Sequence, residues 1–220
     1  MIGTANKSMD EVLSALKGYE NIIVAGCNGC AKVCSTGGEP EIKAMAGNLK
    51  ASGKKIVSEI LPERTCYIQH TTGAFQGHES EIDSADAVLV LGCGGAVQIA
   101  RQALESMGYM IPVKAGLDSV GHMDTVVASK LAIEQCQECG ECVRNETGGI
   151  CPLTKCSKSL LNGPCGGAQN GKCEVDRERD CAWVLIYERL RALGELDALR
   201  KYSAPKDYSK MNKPRRLSLG

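Results

Sequence analysis

Short apolar runs alternate with amphipathic segments through the first half of the chain. Three runs, 21–26, 55–61 and 87–92, are continuously or mostly apolar, which is typical of strands buried on both faces. Between and after them, residues 39–52 and 96–107 place apolar side chains at helical spacing and predict two helices. Strands that alternate with helices predict an α/β fold with a small parallel sheet of the Rossmann or flavodoxin type.

Weaker patterns extend this prediction. Ser8 and Glu11 have the spacing of a capping box and predict a short helix after residue 8. Residues 109–113 predict a fourth strand, which Pro112 restricts to the sheet edge because proline cannot donate to a neighbouring strand. After the last cysteine, four apolar residues recur at helical spacing and predict a C-terminal helix: Trp183, Val184, Tyr187 and Leu190.

The cysteines mark a change in organisation along the chain. Five of the 13 lie among the apolar segments, and the other eight follow in a stretch with little apolar periodicity. We therefore place a boundary near 125–132. The prediction is a parallel α/β domain over 1–130, a loop-rich, ferredoxin-like cysteine module over 131–200, and an extended tail over 201–220.

Composition excludes several function classes. Lys plus Arg and Asp plus Glu are both 26, so we expect neither a nucleic-acid partner nor a membrane partner. The first ten residues lack the apolar core of a signal peptide, and we expect a cytoplasmic protein. So many cysteines in a reducing compartment indicate metal or cluster binding rather than disulfides. No acid–base pair stands out, so no catalytic residue is predicted.

The five N-terminal cysteines follow the ends of predicted strands. Because parallel strands present their carboxyl ends at one edge, we expect Cys27, Cys66 and Cys93 to meet there, with Cys30 and Cys34 on the loop after the first strand. Cys27, Cys30 and Cys34 need a fourth thiolate to hold a [4Fe–4S] cluster or zinc. Either Cys66 or Cys93 could supply it, and we favour Cys93 because glycines surround it. A redox dithiol of Cys27 and Cys30 is the alternative.

The eight remaining cysteines predict two sites of four thiolates each. A C-x2-C-x2-C run ends at Cys142 and is followed by Cys151-Pro152, as in bacterial ferredoxins, although the gap is eight residues instead of three. Three thiols at two-residue gaps favour iron–sulfur over zinc, with zinc possible at one site. Sequence order alone does not group the eight residues, which are Cys136, Cys139, Cys142, Cys151, Cys156, Cys165, Cys173 and Cys181.

Several motifs in this part of the chain are distinctive. They are Cys-x-x-Cys-Gly-x-Cys at 136–142, Gly-Ile-Cys-Pro-Leu-x-x-Cys at 149–156, Leu-Asn-Gly-Pro-Cys-Gly-Gly at 161–167, Gly-Lys-Cys-Glu-Val at 171–175 and Cys-Ala-Trp at 181–183. Over residues 131–193 they resemble the cysteine-rich C-terminal domain associated with methylenetetrahydrofolate reductases. Ser157 departs from the proline expected there, with little consequence for ligation.

The whole chain is similar to the small iron–sulfur subunit of the two-subunit bacterial methylenetetrahydrofolate reductase of acetogenic one-carbon metabolism. The resemblance implies a non-catalytic subunit with [4Fe–4S] clusters that receives electrons from an upstream donor protein. It also implies a flavin-containing TIM-barrel partner that reduces methylene- to methyltetrahydrofolate. The alternatives are a zinc-binding scaffold of the same complex and an independent dithiol oxidoreductase.

Overall fold

The computed structural model describes residues 1–124, 133–211 and 213. The chain divides into two units, Met1–Ala132 and Ile133–Gly220. The domain boundary predicted near 125–132 lies outside the described residues, as does most of the predicted tail beyond residue 211.

The N-terminal unit alternates strands and helices. Its elements are β1 (Ile2–Asn6), α1 (Met9–Ala15), β2 (Asn21–Ala25), α2 (Cys30–Val33), α3 (Glu39–Ala51), β3 (Lys55–Ile60), α4 (Ile68–Phe75), α5 (Glu79–Ser84), β4 (Ala87–Val90), α6 (Gly94–Ser106), β5 (Val113–Ala115) and β6 (Leu117–Met123). Four strands form a parallel sheet in the order β3-β2-β4-β5, and β1 pairs antiparallel with β6. This arrangement confirms the α/β class and the parallel sheet, whereas the Rossmann or flavodoxin likeness stays a prediction.

Both faces of the parallel sheet are buried. Ile22 and Val24 of β2 pack on one side with the apolar faces of α1 and α3, and Ile23 and Ala25 pack on the other side with α4, α5 and α6. Side chains alternate across a strand, so a strand covered on both faces is apolar at every position. This burial explains why the central strands are visible as continuous apolar runs.

The predicted elements of this unit are found with small shifts. The capping box is present, with the Ser8 hydroxyl accepting from the Glu11 amide. The fourth parallel strand lies at the edge, but it covers 113–115 and not 109–113. Pro112 instead contributes its carbonyl, which accepts from the Val88 amide.

The C-terminal unit is mostly loop. Its elements are β7 (Glu134–Cys136), α7 (Pro152–Lys155), α8 (Ala182–Leu193) and the 3-10 turns Arg144–Glu146, Leu196–Arg200 and Tyr208–Met211. Trp183, Ile186 and Leu190 of α8 form its small core, so the predicted C-terminal helix is confirmed. The ferredoxin likeness of this unit stays a prediction. No helix within the described ranges combines the length and apolar character needed to span a bilayer.

Candidate functional site

Four of the five N-terminal cysteines lie together beyond the carboxyl ends of the parallel strands. Cys27 follows β2, Cys30 begins α2, and Cys93 caps α6 directly after β4. The pKa of the Cys66 thiol is raised, mainly by burial and further by the charges of Cys27, Cys93 and Cys30. Cys66 therefore lies within electrostatic reach of these three thiols. We call Cys27, Cys30, Cys66 and Cys93 the N-terminal thiol group.

Backbone contacts between the strand-end loops hold this group in place. The Gly26 amide donates to the Ile60 carbonyl at 2.8 Å, and the Asn28 amide donates to the Pro62 carbonyl at 3.0 Å. These bonds join the loop that carries Cys27 to the loop that leads to Cys66. The buried Thr65 hydroxyl adds a third link by donating to the Gly26 carbonyl at 2.7 Å.

The fifth thiol of this unit has a different neighbour. The Cys34 thiol donates to the carbonyl of Ile2 in β1 at 3.9 Å. Cys66 thus neighbours Cys27, Cys30 and Cys93. The predicted ligand set of Cys27, Cys30, Cys34 and Cys93 stays a prediction.

Glycines leave open space beside two thiols of the N-terminal thiol group. A Cβ added at Gly29 would lie 3.5 Å from the Cys27 sulfur, and one added at Gly95 would lie 3.7 Å from the Cys93 sulfur. Any larger residue would occupy the space next to these sulfurs. The glycines therefore let the backbone lie close to these two sulfurs.

The eight C-terminal cysteines separate into two sets of four. One set lines a cavity of about 190 Å³, and we call it the first C-terminal group: Cys136, Cys139, Cys142 and Cys151. The other set lines a much smaller cavity of about 20 Å³, and we call it the second C-terminal group: Cys156, Cys165, Cys173 and Cys181. The division follows chain order, and α7 separates the two groups, with Cys151 before it and Cys156 after it.

The first C-terminal group is surrounded by hydrogen-bond donors. The Glu138 amide donates to the Cys136 sulfur at 3.4 Å, and an Arg144 guanidinium nitrogen lies 3.8 Å from the Cys142 sulfur. The pKa of Arg144 is raised, first by its hydrogen bond to Cys136. Burial acts to raise the pKa of Cys151, but the hydroxyl and amide of Thr154, the Leu153 amide and the charge of Arg144 lower it overall.

The second C-terminal group is built by the turns around the start of α8. Cys181 precedes α8, and its amide donates to the Gly171 carbonyl at 2.7 Å, which brings it back beside Cys173. The pKa of Cys173 is lowered, first by the Val175 amide and then by the Ser157 hydroxyl. The cavity beside this group is much smaller than the one beside the first C-terminal group.

Donors and cations that favour thiolate over thiol fit an anionic group bound through sulfur. Within the described ranges, no three His, Cys, Asp or Glu side chains converge as the ligands of one metal ion would. Thiolates around a four-iron cluster each bind a separate iron and do not converge on one point. The donor sets of the N-terminal thiol group and of the first C-terminal group thus fit such a cluster, as does the cavity beside the latter.

The comparisons with known proteins bear on the C-terminal part of the chain. Residues 117–209 match the family described as methylene-tetrahydrofolate reductase C terminal. The match contains both C-terminal groups and confirms the family resemblance of this segment, which links it to methylene-tetrahydrofolate reductase. Neither a curated protein nor a solved structure matches the chain.

Sequence reasoning missed the residues that support the thiols. Thr65 and Arg144 occur in no recognisable motif, and their contacts depend on how the loops meet in three dimensions. The sequence indicates these two residues only by their positions: Thr65 precedes Cys66, and Arg144 follows the C-x2-C-x2-C run by two residues. Lys206, a buried lysine in the predicted tail, gave no signal at all.

Proposed function

We propose that this chain is an electron-transfer subunit of a methylenetetrahydrofolate reductase that holds [4Fe–4S] clusters and passes single electrons to the flavin of a catalytic partner. The observation that carries the proposal is the sorting of eight cysteines into two sets of four inside the segment that matches the methylene-tetrahydrofolate reductase family. Four cysteine thiolates are the usual ligand set of a four-iron cluster.

The three thiol groups of this chain have the same task in this function. The N-terminal thiol group and the two C-terminal groups would each bind one cluster through four thiolates. When bound, such a cluster accepts and releases one electron at a time, and it needs no acid or base from the protein. The Glu138 amide and the Arg144 guanidinium stabilise negative charge on the sulfurs of the first C-terminal group.

The exposure of the thiols supports exchange with other proteins. Cys66, Cys142 and Cys165 are exposed, so each of the three groups has one cysteine at the surface. Electron transfer between proteins requires the redox groups to approach closely, and a group with one exposed edge allows that approach. The other cysteines are buried or half-buried, which keeps water from most of each group.

A single substitution in the first C-terminal group tests the proposal. Cys139→Ala should lower the iron content of the chain and abolish reduction of the flavin partner by a reduced ferredoxin, because one of four ligands is lost. Direct reduction of the partner's flavin by dithionite should be unchanged. The measurements are iron analysis and flavin bleaching, with both subunits present.

Cys34→Ala is the matched control, since the Cys34 thiol faces the Ile2 carbonyl. This variant should keep the iron content and the electron delivery of the unaltered chain. Undiminished ferredoxin-dependent reduction in Cys139→Ala would show that electrons do not pass through the first C-terminal group. Loss of iron in Cys34→Ala would place Cys34 among the ligands.

A further inference from the structure

Lys206 is a buried lysine that makes no hydrogen bond or close ion pair within the described part of the chain. Its exposed fraction is 8%, and its Nζ atom is buried with no hydrogen-bond partner among the described residues. Lysine is almost never fully buried unless it is paired, because an ammonium group loses its hydration on burial. A buried charge in this position would be stabilised by an anionic group bound nearby.

The segment around Lys206 folds over the loop of the first C-terminal group. The Asp207 amide donates to the Glu141 carboxylate at 3.3 Å, and Lys210 Nζ donates to the same carboxylate at 2.9 Å. The backbone fits closely here, since a Cβ added at Gly140 would lie 2.8 Å from the Lys210 Cβ. Glu141 and Gly140 lie between Cys139 and Cys142, so we call residues 206–211 the C-terminal strap of this group.

Lys206 itself lies near the same loop. The pKa of Glu141 is lowered, first by the hydrogen bond from Lys210 and also by the charge of Lys206. The two loop carboxylates already have lysine partners, Lys210 for Glu141 and Lys213 for Glu138. Neither of these pairs uses Lys206, so its ammonium is not the ion-pair partner of either loop carboxylate.

We propose that Lys206 is the buried counter-charge of the cluster held by the first C-terminal group, and that its ammonium raises the reduction potential of that cluster. The inference rests on the proposed function. A four-iron cluster with four thiolate ligands is negatively charged, and one electron from the upstream donor protein makes it more negative. A nearby positive charge stabilises the reduced form more than the oxidised form, which raises the potential.

The test is a potentiometric titration of the full chain without air, followed by electron paramagnetic resonance. The signal of the first C-terminal group is identified as the one lost in Cys139→Ala. Lys206→Met should shift the midpoint of this signal to lower potential and leave the other signals in place. Lys206→Arg should restore the midpoint because the charge is kept.

Lys201→Met is the matched control, since Lys201 is an exposed lysine of the same unit, paired with Glu146 at 3.2 Å. It should not move the midpoint. An intact signal with an unchanged midpoint in Lys206→Met would overturn the inference while leaving the proposed function standing. An unaltered chain with no reducible iron signal would contradict the proposed function itself.

The iron-free protein supplies a second readout that does not depend on loading. Without a bound anion, Lys206→Met removes an unpaired buried charge, so its midpoint temperature of unfolding should rise above that of the unaltered chain. The control Lys201→Met should not show this gain. A lower midpoint temperature for iron-free Lys206→Met would mean that the ammonium has a protein partner, and would overturn the inference.

Discussion

Individual side chains outside the thiol groups hold the strand-end loops of this protein together. Thr65 is fully buried, its hydroxyl donates to the Gly26 carbonyl, and its own carbonyl accepts from the Thr71 hydroxyl at 2.9 Å. It thereby fixes the segment that carries Cys66 against the residue that precedes Cys27. Positioning of the N-terminal thiol group thus depends on a residue that is not itself a candidate ligand.

Replacing Thr65 by valine keeps the shape of the side chain but removes its hydroxyl. The Gly26 carbonyl then stays buried without that donor, so we expect a loss of about 1–3 kcal/mol in the free energy of unfolding. Urea unfolding measures this loss, and iron content should fall because Cys66 is displaced. Thr65→Ser retains the hydroxyl, so its free energy of unfolding should fall much less. If Thr65→Val were as stable as the unaltered chain, this hydrogen bond would not stabilise the fold.

At the scale of elements, the loop after β2 packs tightly against the end of the neighbouring strand β4. The Gly37 carbonyl accepts from the Cys27 amide at 2.8 Å. A Cβ at Gly37 would lie 2.1 Å from the Leu91 carbonyl oxygen and 2.8 Å from the Ala31 Cβ. The first of these neighbours is backbone, which a side-chain rotation cannot move away. Only glycine allows this approach between the loop and the strand end.

Gly37→Ala should therefore destabilise the protein strongly, by roughly 1–3 kcal/mol or more, because the loop must shift to relieve the overlap. Gly47→Ala is the matched control: Gly47 is exposed on α3 with no atom within 4 Å of the added Cβ. The free energy of unfolding of the control should rise by about 0.5–1 kcal/mol, because alanine favours a helix more than glycine does. Thermal unfolding compares the two, and similar effects of both substitutions would contradict the described packing.

The elements that could be predicted from the sequence are those whose burial is complete. Ile22–Ala25 of β2 and all of β4 are apolar because helices cover both faces, and α3 shows a clear buried stripe. The pair β1 and β6 was missed because it contains glycine and is partly exposed. Likewise α5 escaped prediction since Ile82 is its one buried residue.

The candidate site was predictable to the same degree. Parallel strands bring their carboxyl ends to one edge, which is why Cys27, Cys66 and Cys93 were expected to meet. The position of Cys34 depends on the single turn α2 and on its contact with β1, which no sequence pattern indicates. The eight C-terminal cysteines divide in chain order, but their spacing alone does not exclude the interleaved grouping of two-cluster ferredoxins.

At the scale of the whole molecule, the chain combines a packed α/β unit with a loop-rich unit. The N-terminal unit has two apolar clusters, one on each face of its sheet, whereas the core of the C-terminal unit is the small cluster around α8. Clusters bound by its eight cysteines would stabilise a unit with so small a core. Bound clusters would therefore support both electron transfer and folding in the C-terminal unit.

Iron and acid-labile sulfide per chain, measured on full-length protein purified without air, test the central claim most directly. Three four-iron clusters correspond to about 12 iron and about 12 sulfide per chain, and this is the result we expect. About 8 iron with one zinc would assign one group to zinc and retain two clusters. A colourless, iron-free preparation that still supports full reduction of the flavin partner would contradict the claim.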